Sequence, residues 1–122
     1  MQARDGDVWV AHSCRHRVER YDRDGKKLFT FGRYDRRAAD GFSGCCEPKN
    51  LRFGPGGELY TAESIPVLSV KRFTTAGKFL GVVGIPEFNA GCGRTTIDMS
   101  RDATAVYVLD RASNTIHVLT KK

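Results

Sequence analysis

The sequence predicts an all-β fold built from repeated four-stranded sheets, and three observations predict it. A short apolar run, a polar loop, a second alternating run and a glycine-containing turn recur, with the matched positions Val8, Leu59 and Val106 about 50 residues apart. Within each repeat, branched and aromatic residues alternate with polar ones, as in strands. Turn sequences such as Asp22-Arg-Asp-Gly25 and Gly54-Pro-Gly-Gly57 separate the runs. Regular short strands at this period are typical of a β-propeller.

The strand pattern divides the chain into about three blades of four-stranded antiparallel sheets. Blade 1 is expected over 1–32, with strands B, C and D at 7–11, 17–22 and 27–31, followed by an inter-blade loop over 33–44. Blade 2 is expected to be complete over 45–84, with strands A to D at 50–53, 58–62, 67–73 and 78–83. Blade 3 is expected over 85–122, with strands A to C at 96–99, 105–109 and 115–119. The first and last blades are therefore predicted to be incomplete.

Two segments resemble NHL repeats, whose pattern is a hydrophobic strand, an Asp-rich loop, Arg-Ile or Arg-Val, an alternating strand, Asp-Gly-Lys and then Phe-Gly. They are Arg17-Val-Glu-Arg-Tyr-Asp-Arg-Asp-Gly-Lys-Lys-Leu with Phe31-Gly32, and Val70-Lys-Arg-Phe-Thr-Thr-Ala-Gly-Lys-Phe-Leu with Val83-Gly84. The resemblance implies a six-bladed ring, of which this chain would supply half. It implies a fragment or truncated subunit of that ring, or a chain that completes it with further copies or another protein.

A narrower resemblance lies in Gly44-Cys-Cys-Glu-Pro48. It is similar to the Gly-Cys-Cys-Asn-Pro motif of a largely uncharacterised bacterial NHL-like group, and Glu47 departs from that motif at the Asn position. This resemblance implies the fold and leaves the activity open.

Charge and hydropathy exclude some classes of function. The formal net charge is +6 at pH 7, and the isoelectric point is near 9.4, which suits an anionic partner and suggests RNA binding by a basic propeller face. The basic residues of blade 1 are interrupted by acidic ones, which dilutes the local field. No apolar run approaches the roughly 20 residues that span a bilayer, so we expect no transmembrane segment.

An even number of cysteines favours an extracytoplasmic location without fixing the compartment.

The cysteines are the first candidate for chemistry. Cys46 and Cys92 take equivalent positions just before strand A, the strand that lines a propeller channel, and Cys45 is adjacent to Cys46. Three thiolates could bind zinc or an iron–sulfur cluster, or act in redox chemistry. The alternatives are inert thiols or a disulfide from Cys92 to Cys45 or Cys46. No Cys-x-x-Cys spacing decides between them.

The other titratable residues favour no catalytic set. His12, Cys14 and His16 alternate on one loop and could hold zinc, but the repeat alignment makes His12 equivalent to Glu63 and Asp110, ordinary polar positions of the B to C loop. Glu63, Asp110 and Asp98 could act as general acids or bases if they shared a pocket. These residues therefore give no support for enzyme activity.

The loop 33–44 is the candidate partner-binding segment. Most aromatic residues fall at matched strand positions and are predicted to be core, whereas Tyr34 and Phe42 lie in this loop with Arg36 and Arg37. Long loops of this composition commonly carry function. The sequence thus favours a non-catalytic protein-binding or assembly module, whose partner is another protein or a second copy that completes the ring. The alternatives are the Cys45, Cys46 and Cys92 site and RNA binding.

Overall fold

The computed structural model describes residues 1–64, 68–84, 95–111 and 113–120. These residues form three antiparallel sheets and one 3-10 turn, Ser13–Arg15. The first sheet contains β1 (Gln2–Arg4), β2 (Asp7–His12), β3 (Arg17–Tyr21) and β4 (Lys27–Phe31). The second contains β5 (Asn50–Phe53), β6 (Leu59–Glu63), β7 (Ser69–Phe73) and β8 (Phe79–Gly84). The third contains β9 (Thr95–Met99), β10 (Ala105–Asp110) and β11 (Thr115–Thr120).

The all-β prediction is confirmed, with one correction in the first sheet. Within the described ranges, every predicted strand is present, and its ends lie within two residues of the predicted ends. The third sheet contains the predicted strands A to C. The prediction that blade 1 begins at strand B is wrong, because β1 pairs antiparallel with β2 through Gln2↔Trp9, Ala3↔Val8 and Arg4↔Asp7. Three mostly polar residues at a sheet edge carry no hydrophobic pattern, so the sequence did not indicate this strand. No helix in the described residues is long and apolar enough to cross a membrane.

The turns between the third and fourth strands of the first two sheets are equivalent and follow from local chemistry. The Asp22 carboxylate accepts backbone hydrogen bonds from Asp24 and Lys26, each at 2.9 Å. Gly25 and Gly77 end the two turns with φ of 84° and 82°, a conformation that glycine adopts without strain. These turns set the strand register on which the two faces of each sheet depend.

Each sheet has two faces, which we call forward and backward. The forward face carries Trp9 in the first sheet and its register equivalents Tyr60 in the second and Tyr107 in the third. The backward face carries the alternate residues, for example Leu59 and Val106. The forward face of each of the first two sheets packs on the backward face of the next, so the second sheet lies in the middle.

Two apolar clusters hold the three sheets together. Trp9 and Val18 meet the backward face of the second sheet, with the ring centroids of Trp9 and Phe53 5.4 Å apart. Tyr60 and Val70 meet the backward face of the third sheet. The innermost strand β5 contacts both β1 and β9, so the three first strands line one side of the stack. This arrangement is that of consecutive propeller blades.

Candidate functional site

The predicted site residues that the structure describes lie at one end of the stack, which we call the loop face. The strands β2, β6 and β10 all end there, at His12, Glu63 and Asp110. The segments 13–16 and 33–49, together with residues 111, 113 and 114, follow at the same end. Contacts between segments 13–16 and 33–49 show that the fold places these two segments side by side.

The loop 33–49 is ordered by its own charged residues. The guanidinium of Arg33 donates two hydrogen bonds to the Asp40 carboxylate, both at 3.0 Å. The Asp35 carboxylate accepts backbone hydrogen bonds from Arg37 at 2.8 Å and Ala38 at 3.0 Å, and these bonds hold the pKa of Asp35 below its usual value. Part of the loop's positive charge is therefore neutralised locally.

Phe42 does not belong to an exposed partner-binding surface, which corrects the sequence-based prediction. It is fully buried, with its ring centroid 5.9 Å from that of Phe73 and 5.5 Å from the Lys71 ammonium. A Cβ atom at Gly32 would lie 2.6 Å from the Phe42 ring, so the loop passes closely over the end of the first sheet. Phe42 anchors the loop between the first two sheets.

Tyr34, Arg36 and Arg37 remain accessible at the loop face. Tyr34 is 52% exposed, and the Arg36 guanidinium lies 5.8 Å from the centre of its ring. The His16 ring packs edge-on against Tyr34, with centroids 4.9 Å apart. Three of the four predicted partner-binding residues therefore lie where a partner could reach them.

His16 has a structural role that supports the repeat alignment. Its φ of 55° is left-handed, like the φ of 53° at the equivalent Asn114. Its Nε2 donates a hydrogen bond to the Gly44 carbonyl at 2.9 Å, which joins the first sheet to the loop 33–49. His16 is thus occupied in connecting two segments.

A buried ion pair fixes the same loop to the second sheet. The Lys71 ammonium lies 2.5 Å from Glu63 Oε1 and also donates to the Gly41 carbonyl. The Ser43 backbone N–H donates to Glu63 Oε2 at 3.2 Å. Burial raises the pKa of Glu63, and Lys71 and the Ser43 N–H only partly offset that rise. Glu63 is engaged on both oxygens and is not placed as a general base.

Asp98 and Asp110, the other predicted acids, have separate partners. Asp98 lies 3.0 Å from Arg52 on the exposed inner strands. Asp110 is buried and accepts a hydrogen bond from the Ser113 hydroxyl at 2.6 Å. The three carboxylates of Glu63, Asp98 and Asp110 are therefore each engaged by a different neighbouring residue.

Glu47, the residue that departs from the Gly-Cys-Cys-Asn-Pro pattern, ties the loop to the end of β6. It is fully buried. Its Oε1 accepts hydrogen bonds from both the backbone N–H and the hydroxyl of Ser64, each at 3.0 Å. The Lys49 ammonium lies 3.9 Å from the same oxygen. The carboxylate is thus held at the start of β5.

The structure brings Cys14 towards the vicinal cysteines. Cys14 and Cys45 are exposed and Cys46 is half-buried. A hydrogen bond with Cys45 raises the pKa of Cys46, with smaller contributions from burial and from the nearby Cys14 thiol. Cys92 lies outside the described residues. Among the residues that are described, no three His, Cys, Asp or Glu side chains are placed to hold a metal ion.

A polar pocket opens where the inner strands β5 and β9 begin. Its volume is about 410 Å³, within the usual range for small-molecule sites. It is lined by Lys49, Asn50, Thr95, Thr96 and Arg111. The loop face thus combines a cationic pocket with the exposed Tyr34 surface.

Comparison with known proteins bears on the fold. No family model matches the sequence, and no curated protein matches it. A crystal structure of a Bacteroides fragilis protein assigned as a 6-phosphogluconolactonase matches all of this chain with a TM-score of 0.62 and 16% sequence identity. The chain is a partial β-propeller. It spans 33% of the length of that protein.

Sequence reasoning missed the residues that organise this end of the fold. Lys71 lies in a strand between the apolar Val70 and Phe73, and Glu47 directly follows two cysteines, and these placements were the available signal. Lys49 and Arg111 carried no signal, because single cations beside strand ends are common on protein surfaces.

Proposed function

We propose that the chain is a non-catalytic, NHL-type assembly module, in which the forward face of the third sheet docks a further propeller blade. The observation that carries the proposal is the unequal exposure of matched positions. Tyr60, Ala62 and Val70 on the forward face of the second sheet are fully buried. Their equivalents Tyr107, Leu109 and Ile116 are 39%, 37% and 62% exposed.

The exposed positions form one continuous apolar patch. Leu109 pairs with Ile116, and Tyr107 pairs with Val118, so the four side chains are cross-strand neighbours. Complete burial of a side chain such as Leu or Ile is worth about 1.5–3 kcal/mol. Docking this patch would therefore stabilise an assembly by several kcal/mol before the entropy of association is subtracted.

The complementary surface is the backward face of a first sheet. Its apolar position Val8 is the equivalent of Leu59, which packs against the preceding blade, and Val10 lies on the same face. For this chain in isolation, the available blade is the first sheet of a second copy, joined head to tail. Such heterologous contacts form a ring when the rotation closes.

Size-exclusion chromatography with light scattering of the variant Leu109→Asp tests this proposal. We expect the parent chain to self-associate above its monomer mass of 13.6 kDa, and Leu109→Asp to weaken association at least tenfold. Leu80→Asp is the matched control, since Leu80 is 38% exposed on β8 of the second sheet and Leu109 is 37% exposed. A monomeric parent chain, or equal effects of the two variants, would contradict the proposal.

A thiol site is the second candidate function, supported by the electrostatic influence of Cys14 on the pKa of Cys46. Zinc or an iron–sulfur cluster would take Cys45, Cys46 and Cys92, with Cys14 as an additional thiolate. The raised pKa of Cys46 keeps its thiol protonated in the absence of metal. This protonation disfavours metal binding, because the thiolate is the form that binds a metal. Zinc titration of the reduced chain should show one site that Cys46→Ser abolishes. Unchanged zinc binding in Cys46→Ser would contradict the site.

RNA binding has less support, because local acids engage several arginines of blade 1 and of the loop that follows it. Arg17 lies 2.5 Å from Glu19, Arg20 lies 2.5 Å from Asp7, and Arg33 lies 3.0 Å from Asp40. Arg36 and Arg37 remain as exposed cations. A single-stranded RNA titration whose affinity does not fall steeply with salt would exclude a basic binding face.

A further inference from the structure

We propose that the pocket at the start of β5 and β9 binds the phosphate or carboxylate group of a small anionic molecule. Lys49 and Arg111 approach it from the second and third sheets, and Asn50 and two threonines supply neutral hydrogen-bonding groups. Guanidinium and ammonium groups bind such anions through short, charge-assisted hydrogen bonds. The proposal is independent of the assembly of further blades.

The two cations differ in how far neighbouring acids engage them. Arg111 is exposed and makes no ion pair with any residue in the described ranges. The Lys49 ammonium is 3.9 Å from Glu47 Oε1, an oxygen that already accepts two hydrogen bonds from Ser64. A ligand oxygen could therefore bind Lys49 without breaking a close ion pair.

The neighbouring acids are directed to other partners. Glu47 is bonded by Ser64, and Asp110 by the Ser113 hydroxyl at 2.6 Å. Neither carboxylate is among the lining residues. Among the described residues, the pocket lining therefore carries two positive charges and no negative one.

The lining is also held in place by hydrogen bonds to the second and third sheets. The Lys49 backbone N–H donates to the Ala62 carbonyl at 2.8 Å. The Thr95 hydroxyl donates to the Leu109 carbonyl at 3.0 Å. β5 and β9 are edge strands, since β5 pairs only with β6 and β9 only with β10. Their unpaired edges present backbone N–H groups to the inner side of the stack. A preorganised polar lining of this kind lowers the entropic cost of binding a small ligand.

Titration with inorganic phosphate, followed by the backbone amide NMR signals of Asn50 and Thr96, tests the site. We expect saturable shifts of both signals, and a weakening of about 5- to 20-fold in each of Lys49→Gln and Arg111→Gln. Arg101→Gln is the matched control, because Arg101 is an exposed cation in the turn at the opposite end of the third sheet. Its phosphate affinity should equal that of the parent chain.

A parallel titration with acetate separates the two ligand groups. Tighter binding of phosphate identifies a phosphate site, and equal or tighter binding of acetate identifies a carboxylate site. Shifts that grow without saturation for both probes would overturn the proposal. An equal loss in Arg101→Gln would also overturn it, since that result would show general charge attraction.

Discussion

The two outer faces of the stack differ in chemistry. The backward face of the first sheet is polar around Glu19, which is 2% exposed although no sheet covers it in this chain. Arg17 lies 2.5 Å from its Oε1 and Lys27 lies 3.8 Å from the same oxygen, while the Tyr21 hydroxyl donates to its Oε2. The forward face of the third sheet instead exposes apolar side chains, and Ile116 is 62% exposed there.

This difference indicates which outer face would gain stability from a partner. The Glu19 carboxylate is satisfied by groups of its own sheet, so that face can be either solvated or covered. The apolar patch of the third sheet gains free energy only when another surface removes it from water.

Equivalent substitutions on the forward faces should have very unequal effects. Val70→Asp places a charge between the second and third sheets, where Val70 is fully buried, and should cost more than about 4 kcal/mol or prevent folding. Ile116→Asp occupies the matched position on the third sheet and should leave the folded monomer within about 0.5 kcal/mol of the parent. Urea unfolding at low protein concentration measures both. Similar losses would show that the third sheet is already covered within the chain.

The buried ion pair should be the most sensitive polar feature of the middle sheet. Lys71→Met leaves the Glu63 carboxylate buried without its cation, 2.5 Å from where the ammonium lay, and should cost about 3–5 kcal/mol. The double variant Lys71→Met with Glu63→Gln removes both charges and should recover most of that loss. Thermal unfolding of the single and double variants measures the difference. No recovery in the double variant would mean that Lys71 acts through packing on Phe42.

Glu19 and Glu63 should contribute to stability with opposite dependence on pH. Burial acts to raise the pKa of Glu19, but the hydrogen bonds from Tyr21 and Arg17 and nearby positive charge lower it below the ordinary value of 4.5. Its contribution is therefore present above the unfolded pKa and is lost as pH falls through the folded pKa. The raised pKa of Glu63 has the reverse effect, so its contribution is greatest below pH 4.5 and is lost as pH rises through the folded pKa.

These opposite pH dependences can be tested by measuring the free energy of unfolding of Glu19→Gln and of Glu63→Gln from acidic to neutral pH. Glu19→Gln should flatten the loss of stability on the acidic side. Glu63→Gln should flatten the decline on the neutral side. The same change of slope in both variants would contradict the opposite environments of the two carboxylates.

The smallest expected effect is at the turn between β9 and β10. The Asp102 carboxylate accepts hydrogen bonds from the Ser100 hydroxyl at 2.8 Å, and from the Thr104 backbone N–H and hydroxyl, which lower the pKa of Asp102 to about 2. NMR titration of this carboxyl should give that value, and Ser100→Ala should raise it. An ordinary Asp pKa would show that the turn is not formed in solution.

The sequence predicted the repeats well because strand alternation and turn residues are local signals. Leu59, Val70 and Val106 fall on the faces that the alternation indicates. The sequence did not predict that Tyr107 is exposed, because matched positions look alike and exposure depends on which sheet comes last in the stack. The burial of Phe42 and the approach of Cys14 to Cys46 depend on the path of the loop 33–49, which contacts distant in sequence determine.

Hydroxyl-radical footprinting of the tyrosines tests the docking of the third sheet most directly. Tyr107 is 39% exposed on the forward face, and Tyr34 is 52% exposed at the loop face and serves as the internal reference. In dilute solution both should be modified, and as concentration rises Tyr107 should become protected while Tyr34 stays reactive. Equal modification of Tyr107 and Tyr34 at every concentration would contradict the proposed docking.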